Sequence, residues 1–98
     1  MENYIGKYCV VRGPGSGVFA GTLAVCDEQK VVIKDARRIW RWAGATETIG
    51  LATSGVSAPA ECKFTITASE IILCDVHTIL PCTPEAEARI KAVAEWKA

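Results

Sequence analysis

The chain opens on an apolar run over residues 4–12, rich in β-branched and aromatic side chains, and Gly13-Pro14-Gly15-Ser16-Gly17 closes it with a dense turn signal. A second such run, residues 18–26, stops at Asp27-Glu28-Gln29-Lys30, and Val31-Val32-Ile33 restarts the pattern. A meander of three strands follows. Gly21 inside the second run predicts a bend or a bulge. The third run continues to Trp42, but Arg37 and Arg38 are adjacent and large. Strict alternation fails there, and a further bulge near residues 36–38 is predicted, one that would re-aim both arginines.

Residues 43–55 change period. Thr46 is placed to cap, Glu47 falls in the first turn, Ile49, Ala52 and Val56 recur at helical spacing, and Gly55 can end the element. A short helix is predicted. After Pro59, Phe64-Thr65-Ile66-Thr67 reads as another strand. Residues 70–80 read as one more, with Ile71-Ile72-Leu73-Cys74 apolar on both faces, which places it at the centre of the core. Thr83 as cap, Pro84 at the first helical position, and Glu85 and Glu87 near the positive end of the dipole start a final helix that reaches about Trp96. Its stripe of Ala86, Ile90, Val93 and Trp96 faces the sheet or a partner subunit. The expected fold is an α+β single domain over residues 1–98. It has a small antiparallel sheet of about five strands, bent and even barrel-like, one short middle helix and one C-terminal helix.

Composition narrows the function classes. Half of the 98 residues are hydrophobic, rich for so short a chain, so part of the apolar surface is expected to meet another subunit in a homo-oligomer. Lys plus Arg equals Asp plus Glu at 11 each, so no global field holds the protein on nucleic acid or an anionic membrane. An anion must be captured by a local cluster. The five cysteines, Cys9, Cys26, Cys62, Cys74 and Cys82, form no Cys-x-x-Cys pair, and reduced, metal-free thiols in a cytoplasm are expected. The opening residues lack the pattern of a signal peptide, and no run is long enough for a membrane span.

One segment concentrates chemistry. Residues 34–42 hold Lys34, Arg37, Arg38 and Arg41, four of the eleven basic residues, with Trp40 and Trp42, two of the three tryptophans. Guanidinium groups pair bidentately with phosphate, and both guanidinium and indole stack on a base. These six residues are the candidate ligand-binding site, and a nucleotide-type small molecule is the candidate partner. The competing structural reading pairs the arginines with Glu47, Glu61 and Glu70 on a solvated face and buries the tryptophans. The glycine-rich 13–17 segment precedes a strand and lacks a lysine–serine pair, so it is no Walker loop and reads as a hairpin turn. His77, the one histidine, has no nucleophile assigned to it by the sequence, and no paired carboxylates suit acid–base work. No catalysis, cofactor or metal is expected.

The stretches Gly17-Val18-Phe19-Ala20-Gly21-Thr22-Leu23 and Asp35-Ala36-Arg37-Arg38-Ile39-Trp40-Arg41-Trp42-Ala43-Gly44-Ala45, with Cys62-Lys63-Phe64 and Glu70-Ile71-Ile72-Leu73, resemble a family of small phage and prophage proteins. The resemblance runs over residues 4–83, and Asp-Ala-Arg-Arg-Ile-Trp is its most specific part. In size, phage origin and Arg/Trp cluster the chain is similar to phage sponge proteins, which sequester cyclic or ADP-ribose-type nucleotide signals of defence systems such as Thoeris and CBASS. That analogy implies non-catalytic sequestration of a nucleotide immune signal in the cytoplasm of an infected bacterium, inhibiting anti-phage defence. The alternative is a phage structural or host-interaction protein. Gly21-Thr22-Leu23 with Val31-Val32-Ile33-Lys34-Asp35-Ala36 is also similar to the bent-strand motif of Sm-like barrels. That motif implies a nucleic-acid-binding module, against which the balanced charge argues.

Overall fold

A computed structural model describes residues 2–45 and 47–96 of the chain. After a short 3-10 turn at Glu2–Tyr4, three strands follow, β1 (Tyr8–Gly13), β2 (Gly17–Cys26) and β3 (Val31–Arg41). Then come α1 (Thr48–Ser54), a 3-10 turn at Pro59–Glu61, β4 (Lys63–Phe64), β5 (Ala68–Leu73), β6 (Thr78–Pro81) and α2 (Pro84–Ala92). The strands form one six-stranded antiparallel sheet in the order β4-β3-β2-β1-β6, with β5 also paired to β3. The α+β class and the two helices are as expected. The sheet has six strands, one more than expected, and it is not closed, because β5 and β6 do not pair with each other. Among the described residues no helix is long and apolar enough to cross a membrane.

Both faces of the central strands are buried, which is why their sequences run apolar without clean alternation. Tyr8 and Val10 of β1, with Val18, Ala20, Ile39 and Phe64, pack under Leu51 and Ala52 of α1 and Ile90 of α2. Cys9 and Val11 point the other way and join Phe19, Leu23, Val31, Ile33, Ala36 and Leu73 in a second cluster. No helix covers that second face, so the sheet must bend over it to exclude water.

The bend has a local cause. Ala20 pairs with Arg37 and Thr22 with Lys34, so Gly21 alone opposes both Asp35 and Ala36, and Asp35 takes a left-handed φ of 48°. Aspartate tolerates that region better than most residues. A second irregularity, between Leu23 and Val25, puts an extra residue into β2. The first break falls at Asp35–Ala36, just upstream of where the large arginines predicted it. As a result Arg37 and Arg38 keep ordinary alternation.

Several boundaries differ for physical reasons. β1 begins at Tyr8 because Gly6, at a φ of 90°, turns the chain before it. Residues 70–80 do not make one central strand. Cys74-Asp75-Val76-His77 turns the chain, and β5 is left as an edge strand on which Ile72 is 58% exposed. The Asp75 carboxylate accepts from Gly15 N (2.9 Å), Ser16 N (3.0 Å) and Ser16 Oγ (2.6 Å), which ties that turn to the β1–β2 hairpin. With no glycine or proline in it, the turn leaves no strong local mark. Helix α1 occupies only Thr48–Ser54, Glu47 makes no side-chain cap, and the proposed cap Thr46 lies outside the described residues. Gly55 ends α1 at a φ of 74°, its N–H donating to Leu51 O (3.0 Å). At the start of α2, Thr83 Oγ1 accepts from Ala86 N (3.1 Å) and donates to Thr53 O (2.6 Å), joining the two helices. α2 stops at Ala92, and Val93 turns extended.

A Cβ at Gly21 would lie 2.7 Å from the Ala36 Cβ, a contact the bulge cannot relieve. Gly21→Ala should therefore lower the unfolding free energy by about 1–3 kcal/mol, read as a reduced urea midpoint at unchanged slope.

Candidate functional site

The register of β3 sends its two arginines to opposite faces. Arg37 pairs with Ala20 on the helix-covered face and is 4% exposed. Its Nε donates to Thr65 O (3.1 Å) and its Nη1 to Val93 O (2.7 Å) and Ile90 O (3.4 Å), while the guanidinium carbon lies 5.1 Å from the Phe64 ring centroid. A cation at these carbonyls meets the negative end of the α2 dipole and satisfies groups the helix leaves open. Burial lowers the Arg37 pKa from its ordinary value, with Tyr8 and the Glu95 carboxylate opposing. Nη2 is buried without a hydrogen-bond partner. This arginine is committed to the fold.

Arg38 pairs with Phe19 on the opposite face and is exposed. Its backbone N–H donates to Thr65 Oγ1 (2.9 Å) and its carbonyl accepts from Thr65 N (3.0 Å), so β3 is held to the start of the β4–β5 connection. Its side chain runs along the strand toward Gly17, where a Cβ would lie 3.1 Å from Arg38 Nη2. The guanidinium therefore lies across a position free of side chain.

Trp40 is 50% exposed and stacks on Trp96, with ring centroids 5.1 Å apart and planes 4° from parallel. Lys63 Nζ lies 5.1 Å from the Trp40 centroid and 5.0 Å from that of Trp96. Arg41, exposed, is the register partner of Lys63. Of the six predicted residues, the structure thus gathers Arg38, Trp40 and Arg41 at the exposed end of β3. Trp42 packs partly buried against the helix-side core. Lys34 lies beyond the bulge, opposite Glu70. Lys63 and Trp96 escaped the sequence reading. Lys63 stands alone in an apolar run, and Trp96 fits a helical stripe that the helix does not reach.

The charges of this face are not spent internally. Among the described residues the ion pairs are Arg89–Glu85 (3.0 Å) and Lys91–Glu87 (2.6 Å), both along α2, and neither involves Arg38, Arg41 or Lys63. The solvated pairing of these arginines with Glu47, Glu61 and Glu70 is not found there. A groove of about 490 Å³ beside α1 is lined, among the described residues, by Gly44, Ala45, Gly50, Ser54 and Gly55, none of them charged.

Beyond Val93 the segment carrying Trp96 is joined to β4 by a parallel bridge of Glu95 to Phe64, with Trp96 N donating to Phe64 O (2.8 Å), and the Trp96 indole, 37% exposed, is held by its stack on Trp40.

The other reactive groups divide into buried and exposed ones. Burial pushes the Cys9 thiol up and Cys82 up to about 12, so both stay protonated at neutral pH. His77 is exposed, its Nδ1 3.2 Å from Thr78 Oγ1. Cys74 is exposed, and all five cysteines are free.

The site is a basic, aromatic edge on a small open-sheet α+β domain. Residues 6–90 match the family described as Domain of unknown function (DUF6948), and the chain belongs to that family. Among curated proteins none matches it.

The split between the arginines is directly testable by unfolding. Arg37→Ala strands the carbonyls of Thr65 and Val93 and should cost about 2–4 kcal/mol. Arg38→Ala should stay within about 0.5 kcal/mol of the parent.

Proposed function

We propose that this protein binds a nucleotide-type anion without converting it, on the face formed by Arg38, Trp40, Arg41 and Lys63. The observation that carries this reading is the half-exposed Trp40 ring with the Lys63 ammonium 5.1 Å from its centroid, on a strand end where Arg38 and Arg41 are also exposed and none of the three cations has a carboxylate partner among the described residues. An indole face takes any base, and unpaired guanidinium and ammonium groups take phosphate oxygens. Charge-assisted hydrogen bonds contribute about 1.5–3 kcal/mol each, and a stacked base about 1–3 kcal/mol. Two cations and one stack reach micromolar affinity after ordering costs. In the setting that the phage resemblance implies, such binding withdraws a cyclic-nucleotide or cyclic ADP-ribose-type signal from bacterial defence. The expected self-association rests on the high apolar fraction of so short a chain.

A thermal-shift and calorimetric series against cyclic dinucleotides, cyclic trinucleotides, ADP-ribose and its cyclisation products tests the reading. At least one class should raise the melting temperature, Arg38→Ala or Trp40→Ala should weaken it about tenfold or more, and the nucleotide should be recovered unchanged after denaturation. Light scattering on the same sample should show more than one subunit. A monomer that no nucleotide stabilises would leave the exposed aromatic edge as a protein-interaction surface instead.

A further inference from the structure

Trp96 sits where a ligand's base would sit. Its indole lies nearly parallel to Trp40 at a centroid distance of 5.1 Å, and Lys63 Nζ is within 5.1 Å of both ring centroids. A planar heteroaromatic ring that replaced the indole would inherit both the stacking face and the neighbouring ammonium. The opposite face of Trp40 is not offered the same pairing, because the cation lies beside the existing stack. The segment that delivers Trp96 is short and lies on the surface. Arg37 fixes its root through Val93 O at 2.7 Å, Ala94 and Glu95 are exposed, and among the described residues the isolated bridge of Glu95 to Phe64, with Trp96 N donating to Phe64 O, joins it to β4.

We propose that Trp96 is a built-in, displaceable occupant of the base-stacking face of Trp40, and that a nucleotide enters by trading places with it. The inference rests on the nucleotide-binding reading and adds a gate to it. The hinge is the stretch between Val93 and Trp96. Because Arg37 grips the chain on the root side, opening leaves α2 and the core in place. Closed, the tail keeps an exposed tryptophan covered. Open, it presents Trp40, Lys63 and Arg41 together with Arg38. A site that is competent only in the open fraction shows an apparent affinity reduced by that fraction, so removing the occupant strengthens binding.

The test uses the full chain, with ADP-ribose as the probe and calorimetry alongside amide hydrogen exchange. Trp96→Ala alters a partly exposed position outside both core clusters. It should bind ADP-ribose at least about fivefold more tightly than the parent, and Trp40→Ala should lose binding. The Trp96 amide should exchange about a hundredfold faster than that of Leu23, which donates to Lys7 O at 2.9 Å. If the parent binds ADP-ribose and Trp96→Ala binds equally or more weakly, the gate is wrong and the binding reading survives. If neither protein binds ADP-ribose, the gate falls, and the thermal-shift series against the other nucleotide classes decides the binding reading separately. A Trp96 amide as protected as Leu23 also overturns the gate.

Discussion

A guanidinium buried at the end of a helix sets the geometry of this protein. Arg37 reaches from the middle of the sheet to the carbonyls of Ile90 and Val93 and to that of Thr65, with its charge against the Phe64 ring. A buried cation is costly without partners, so these four elements meet at one point: β3, β4, the β4–β5 connection and the end of α2. The same contact ends the helix at Ala92 and aims the tail back across β4 toward Trp40. Register makes the rest follow. With Arg37 on the helix-covered face, Arg38 must face the other way, and the bulge at Asp35 fixes which arginine goes where. A slip of one residue would exchange them and bury the wrong charge.

Much of the fold is legible in local signals because those signals are local in origin. The Gly13–Gly17 hairpin, the stop at Asp27, the bulge opposite Gly21 and the Thr83-Pro84 start of α2 each depend on a few neighbouring side chains. Asp27, whose carboxylate accepts from Gln29 N and Lys30 N, ends β2 by a turn that its sequence already announces. The misreadings come from contacts remote in sequence. Asp75 breaks the 70–80 run because its carboxylate is taken by Gly15 and Ser16, some 60 positions earlier. The end of α2 depends on an arginine more than 50 residues upstream. The barrel-like expectation fails because β6 joins β1 while β5 stays on β3, a choice of partners that strand patterns alone do not encode.

The candidate site was legible in kind and incomplete in membership. An alternating Arg and Trp segment marks a place where charge and π-surface coincide, and half of its predicted residues do meet at an exposed edge. Alternation along β3, interrupted by the register shift between Ile39 and Arg41, also divides the segment, so Arg37 and Trp42 pack inward while Arg38, Trp40 and Arg41 are exposed. Lys63 and Trp96 complete the edge from β4 and the tail, positions that only the tertiary structure brings alongside. A chain with no net charge can still hold an anion on such an edge. Of the eleven acids, Glu85 and Glu87 are paired along α2 and Asp75 clasps the hairpin turn, and among the described residues none forms an ion pair with Arg38, Arg41 or Lys63. An anion held there would rely on short-range pairing, because a balanced charge gives no long-range steering.

The central claim is that Arg37 builds the fold while the face around Trp40 receives the ligand. An NMR titration of the full chain with ADP-ribose, following the indole N–H signals and the arginine Nε–H signals, tests it most directly. The account predicts shifts in the Trp40 and Trp96 indoles and in Arg38, with the Trp42 indole and the Arg37 Nε–H unmoved. Saturating shifts centred on Arg37 or Trp42, with Trp40 unchanged, would contradict it.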